Sequence, residues 1–219
     1  MPRLLFEKTG NAVFISHLDL MRLFQRAFKR AGLALKHTQG FNPRPSVSIA
    51  LPLSVGMESR CELLDFDLDE EAVSCDEIYT RLNAALVRGV RVLSVYDTGR
   101  KIKDLSYLRC QIVLEYDKGV PENAPIEIRA LFSRDRLEME KKGKNGTVNQ
   151  DIIPMIQEME VKQTGDNTVT VSALVCCQNP SLNPVQISGA VAVYLPELTP
   201  DFARCCRLEI YDADKNVFR

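Results

Sequence analysis

The chain passes twice through the order β-α-β-β-α-β, and no other feature limits its possible folds so strongly. In the first pass, apolar runs at 3–8 and 12–15 flank the turn signal Thr9-Gly10-Asn11, so a hairpin or bent strand opens the chain. Ser16 suits a helix N-cap, with Asp19 three residues on as an acidic capping-box partner. From His17 to Ala31 the period is helical: Leu20, Leu23, Phe24, Ala27, Phe28 and Ala31 form one apolar stripe, and Gly32 closes the helix. Leu33 to Thr38 reads as a strand, followed by strand-like runs through Val47, Ile49 and Leu51 and from Cys61 to Leu68. A second helix is capped by Ser74, with Ile78, Leu82, Ala85 and Leu86 inward, and a strand covers Val90 to Tyr96. That order is the ferredoxin-like split βαβ unit.

Arg100-Lys101-Ile102-Lys103 reads as a linker, after which the order repeats less regularly. Tyr107–Tyr116 is a strand and Ala124–Arg134 a short helix; Leu137–Lys141 pairs with Ile152–Val161 as a hairpin around Gly143–Gly146. Thr168–Cys177, Val185–Leu195 and Cys205–Tyr211 then read as strand, helix and strand. The expectation is an α+β fold of tandem ferredoxin-like units with antiparallel sheets. Residues 1–99 form the first unit and residues 104–219 the second, each with two helices on one face of a four-stranded sheet.

At 219 residues, 45% apolar and 26% charged, the composition excludes a disordered chain, a collagen-like repeat and a simple coiled coil. No apolar run approaches the about 20 residues of a membrane helix. The opening MPRLLFEKTGNAVF lacks a signal-peptide pattern, and seven cysteines, an odd number, read as reduced thiols. A cytoplasmic globular protein without membrane contact is expected. The net charge of −1 conceals a basic N-terminal quarter, where residues 1–60 hold nine Lys or Arg against three acids. Such asymmetry fits an anionic partner, or attraction between the two parts of the chain.

The basic excess is concentrated on one helix face. Arg22, Arg26, Lys29 and Arg30 share that face with no intervening acid. The loop Gln39-Gly40-Phe41-Asn42-Pro43-Arg44-Pro45 is stiffened by two prolines. In it, Phe41 suits stacking on an unpaired base, and Asn42 and Arg44 suit a base edge or a phosphate. A structural corner that blocks strand pairing is the plainer reading of the same loop. His17, at a helix start where the dipole favours neutral imidazole, and His37 are the only histidines. Either suits a general base or a structural hydrogen bond. The cysteines (Cys61, Cys75, Cys110, Cys176, Cys177, Cys205, Cys206) show no zinc or three-cysteine iron–sulfur spacing, so no metal and no cofactor is expected in this chain. The acids Asp65, Asp67, Asp69, Glu70 and Glu71 read as a solvated strand face and helix start, and the Gly-rich nucleotide motifs are missing.

The stretches FISHLDLMRLFQRAFKRAGL (14–33), QGFNPRP (39–45) and ALPLSVG (50–56) resemble a bacterial radical-SAM-linked (radical-SAM-associated) protein family, a domain of unknown function. The likeness is dense over residues 3–70. Members of that family stand beside, or are fused to, a radical SAM protein and neighbour genes for ribonuclease G and ribosomal proteins. The resemblance therefore implies an accessory role near RNA metabolism. By position it marks Ser16, His17, Asp19, Arg22, Arg26, Arg30, Gly40, Phe41, Asn42, Pro43 and Gly56; Arg44 stands where some relatives have His.

Three functions follow. One is an RNA-binding (tRNA or rRNA) module, an accessory subunit in RNA modification by a radical SAM enzyme, with Arg22, Arg26, Lys29, Arg30 and Arg44 on phosphates and Phe41 and Asn42 on a base. The second is a metal-independent RNA-processing endonuclease with His17 or His37 as base and Arg44 as electrophile. The third is a pure protein-interaction subunit.

Overall fold

Pro2–Lys8 forms β1, the central ladder partner of two strands distant in sequence. The computed structural model describes residues 2–69, 73–143 and 146–219. The chain divides into two compact units, one running to Asp104 and taking in Arg219, the other spanning Leu105–Phe218.

The first unit continues through α1 (His17–Arg30), β2 (Val47–Ile49), β3 (Glu58–Phe66), α2 (Cys75–Ala85) and β4 (Val90–Asp97). Its antiparallel sheet has the order β4-β1-β3-β2, which is that of a ferredoxin-like unit. Alternation sends Leu4 and Phe6 of β1, Leu64 and Phe66 of β3 and Val90 and Val92 of β4 into one core with Leu20, Phe24 and Phe28 of α1 and Ile78 and Leu82 of α2. The aromatic contacts are specific: Phe6 meets Phe24 edge-on at 4.7 Å, and Phe28 meets Phe66 at 5.0 Å. Burying each of these rings contributes about 2 kcal/mol. Asn83 of α2 donates to the Val92 carbonyl and accepts from the Val92 N–H, both at 3.0 Å, where the β1–β4 register shifts.

Arg3 and Asp65 stand directly opposite in the β1–β3 ladder, with Tyr96 opposite Arg3 on β4. Arg3 Nε donates to Asp65 Oδ1 at 2.5 Å and Nη2 to Oδ2 at 3.1 Å, while Nη2 also reaches the Arg100 carbonyl at 2.9 Å. The guanidinium is almost wholly out of water, and the Asp65 carboxylate and the Arg100 carbonyl meet its charge on the Nε and Nη2 side.

The second unit repeats the plan with β5 (Tyr107–Glu115), α3 (Ala124–Phe132), β6 (Glu138–Gly143), β7 (Gly146–Asp151), β8 (Ile156–Gly165), β9 (Thr168–Cys176), α4 (Val185–Tyr194) and β10 (Phe202–Tyr211). Its sheet order is β10-β5-β9-β8, again antiparallel. Leu108, Cys110, Ile112 and Leu114 of β5 are all buried, a clean period of two.

Two expectations are corrected. Leu137–Lys141 does not pair with Ile152–Val161: β6 pairs with β7 in a separate hairpin, and β8 pairs with β9. The apolar run 152–161 is split at Pro154, which has no N–H for a ladder. Ile152 and Met155 are buried in a single turn there, and the Ile152 N–H closes the hairpin base on Leu137. Leu33–Thr38 is extended without being a regular strand. It divides its pairing between two segments, with bridges Leu35–Leu68 and His37–Pro45. Glu70 and Glu71 of the acidic cluster lie outside the described residues.

Asp65→Ala, which strands a buried guanidinium, is expected to lower unfolding stability by about 3–5 kcal/mol, and the double variant Arg3→Met/Asp65→Leu to restore most of it. Urea denaturation of the three proteins measures both effects.

Candidate nucleic-acid interface

The start of α1 is set by side chains of β1 and of the cap. Lys8 is buried, and its Nζ donates to the carbonyls of Ile15 at 2.8 Å and Val13 at 3.2 Å. Ser16 Oγ accepts from the Asp19 N–H at 3.2 Å and donates to Asp19 Oδ2 at 2.7 Å. Arg22 Nη1 pairs with Asp19 Oδ1 at 2.9 Å. The Ser16 hydroxyl, and after it Arg22, hold the Asp19 carboxyl below the usual carboxylate range. Asp19 thus stays ionised and offsets the charge of Arg22. At the other end Gly32, at φ +68°, makes the left-handed turn, and the N–H groups of Gly32 and Leu33 close on Lys29 and Phe28.

Consecutive helical residues point about 100° apart, so Lys29 and Arg30 occupy opposite margins of the charged face. Arg22, Arg26 and Arg30 line a groove of about 470 Å³ with Asp19, Leu23 and Val87. Arg30 Nη2 donates to Ala85, a terminal carbonyl of α2, at 2.6 Å. Val87 also borders a depression of about 500 Å³ that holds Arg88 and Arg91. The same two arginines, with Glu7 and Asn11, line a further one of about 640 Å³. The outcome is a track of five arginines from α1 through the α2–β4 turn to the start of β4. Arg26, Arg88 and Arg91 are exposed and make no ion pair or side-chain hydrogen bond among the described residues.

Arg88 and Arg91 were not among the expected residues. Their signal was the glycine between them. Gly89 has φ +90°, and a Cβ there would lie 2.6 Å from the Thr9 carbonyl oxygen and 2.9 Å from the Ala12 Cβ. The Thr9 N–H donates to the Gly89 carbonyl at 2.8 Å. The backbone approach that places both arginines therefore tolerates only glycine.

Lys29 faces the other way. With Gln25 it borders a groove of about 540 Å³ whose far wall comes from the 33–45 segment and Asp69. One contiguous site for all four α1 cations and the loop is therefore not formed: Arg22, Arg26 and Arg30 face the α2 side, and Lys29 alone faces the loop. The base of the loop is tied by the Thr38 N–H on the Arg44 carbonyl (2.8 Å), the Arg44 N–H on Thr38 Oγ1 (3.1 Å) and the Ser46 N–H on the Lys36 carbonyl (2.7 Å). Beyond it Phe41 is fully exposed, Asn42 and Arg44 are exposed, and none of the three lines either groove. His37 bridges to Pro45 beside Arg44, whereas His17 begins α1 and lines neither groove. The acids of β3 do not pair with α1 either: Asp65 is taken by Arg3, and the residue after next, Asp67, accepts from Ser46 Oγ at 2.7 Å.

Residues 2–184 match the family model described as an uncharacterized protein conserved in bacteria (DUF2344). The chain belongs to that family. No curated protein matches it. Among solved structures, a Cbf5-Nop10-Gar1 complex is similar at TM-score 0.50 and 9% identity, over 95% of this chain and 48% of the other. An archaeal box H/ACA sRNP Nop10-Cbf5 complex aligns at TM-score 0.42 and 10% identity, over 94% and 46%. The chain spans about half the length of these solved chains, and at such identity the likeness concerns the fold alone.

In this DUF2344 chain the cysteines of the second unit sit on neighbouring strands. Cys110 of β5 stands opposite Arg207 of β10, and Cys205 opposite Ile112. Among the described residues no three His, Cys, Asp or Glu side chains gather as a metal-holding group. Burial pushes the thiols of Cys110 and Cys177 up to about 12 and that of Cys205 upward as well. Burial likewise pushes the Tyr116 phenol up to about 12. These groups hold their protons in the fold while the unfolded thiols, with an ordinary value of 9.0, release theirs. Stability is therefore fully present below about pH 9 and is expected to fall as pH rises toward 12. Thermal melts across that range check the sign, and alkylation at neutral pH is expected to spare Cys110 and Cys205 until the chain is denatured.

Proposed function

We infer that the first unit binds RNA through its arginine track, as an accessory module for a radical SAM enzyme. The observation that carries the reading is the set of exposed cations without ion-pair partners: Arg26 on α1, Arg88 on the α2–β4 turn and Arg91 at the start of β4, the grooves sharing Val87. Protein charge spent on the fold is paired, as Arg3 is; charge left open along a groove suits a polyanion. The three α1 arginines recur every four residues and run along about 12 Å of helix. Phosphate contacts of this kind set affinity and register without reading sequence.

Phe41, exposed on the tied loop, suits stacking on an unpaired base, and Asn42 and Arg44 lie beside it. The radical SAM partner rests on the motif resemblance of residues 14–56. RNA, tRNA or rRNA, is the class of ligand that a basic track with an exposed aromatic side chain suits best.

The test is fluorescence anisotropy of the full chain with labelled single-stranded RNA at several salt concentrations. Arg26→Ala/Arg88→Ala is expected to weaken binding equally across sequences and to reduce the salt slope by about 1.4, at about 0.7 per lost contact. Arg22→Ala has a smaller effect because Asp19 already offsets that charge, and Asp19→Asn tightens binding. RNA recovered at full length fits a binding module; cleavage lost on His37→Ala would make the chain an endonuclease instead. Unchanged affinity in the double variant, with a lowered melting temperature, would return the arginines to a structural role.

A further inference from the structure

The groove on the loop side of α1 differs in chemistry from the arginine track. Leu33 and Leu35, both buried, and Pro45 give it apolar walls, while Gln25, Lys29, His37 and Asp69 stand around its rim. None of those four polar side chains has a hydrogen-bond or ion-pair partner among the described residues. An amide, an ammonium, an imidazole and a carboxylate thus converge on one groove with their hydrogen-bonding capacity unspent. At about 540 Å³ its volume falls within the range of about 300–1,000 Å³ of small-ligand sites.

We propose that this groove takes a single unpaired nucleotide of the bound RNA and favours a base whose edge carries an amino group. The proposal rests on the RNA-binding reading and adds to it a site for base choice. A site for phosphate alone has no use for Asp69, because a carboxylate repels an anion. A planar base does have a use for it: apolar walls cover its faces, and the carboxylate oxygens accept an exocyclic N–H. Adenine and cytosine offer that donor at N6 and N4, and guanine at N2. Uracil presents a carbonyl at the same position, which faces the carboxylate unfavourably. Lys29 and His37 then lie on the side where the sugar–phosphate leaves the groove, and Gln25 supplies both a donor and an acceptor.

The geometry of the segment keeps Asp69 in place without using its side chain. Its backbone N–H donates to the Ala34 carbonyl at 2.9 Å, and Lys36 and Asp67 are tied in the same way one step on. Asp69→Asn therefore changes the rim chemistry while leaving the backbone ties intact, and the residue is exposed, so the fold is expected to persist.

The experiment compares anisotropy titrations of the full chain against labelled oligo(A), oligo(C), oligo(U) and a strand of abasic residues, at matched length and salt. The expected result is binding of oligo(A) and oligo(C) about tenfold tighter than oligo(U) or the abasic strand, a difference within the range of one good base contact. Asp69→Asn is expected to raise oligo(U) affinity toward that of oligo(A) with an unchanged salt slope. Arg26→Ala is expected to lower all affinities and keep the order. Equal binding of the four strands, or an order of preference that Asp69→Asn leaves intact, overturns the nucleotide pocket while the arginine track stands. Failure to bind any strand at low salt overturns both.

Discussion

The buried ammonium of Lys8, held by the carbonyls of Val13 and Ile15, is the constraint on which the functional face depends. A charge removed from water must be met by well-placed acceptors, and two of them are carbonyls of the segment just before Ser16. The direction in which the chain leaves β1 is thereby set, and with it the start of α1. Everything basic on that helix inherits its position from this junction. Gly89 completes the same corner from the other side, since its close approach to Thr9 and Ala12 fixes the backbone that carries Arg88 and Arg91.

Charge is used in two ways in the first unit. Arg3 is spent on the fold: it is buried, bidentate to Asp65, and directly opposite it in the ladder. Arg30 is partly spent, on a terminal carbonyl of α2, and Arg22 is partly offset by Asp19. Arg26, Arg88 and Arg91 are left for a partner. The difference lies in what each guanidinium faces, and neither composition nor helical spacing reports that.

Helical period and capping residues located α1 and α2 within a residue or two, because a stripe of Leu, Phe and Ala every three or four positions has only one stable use. Alternation did the same for β5 and β9. The region 137–161 misled because period alone does not say which strand an apolar run pairs with, and Pro154 divides a run that looks continuous. Residues 33–38 misled for a related reason: an apolar stretch that shares its pairing between two segments has strand composition without a strand ladder.

The sequence by itself determined the tandem ferredoxin-like order, the inward stripes of the first two helices and the identity of the α1 cations, since these follow from local period, caps and turn residues. The tertiary structure alone decided that Lys29 and Arg30, adjacent in the chain, serve different grooves. It alone brought Val87, which borders the groove of Arg88 and Arg91, into the groove of the α1 arginines, and Asp69 and His37 across from Lys29. The physical reason is that a groove is made by two elements at once, and the distance between elements is set by packing and backbone approach rather than by the spacing of residues along one of them.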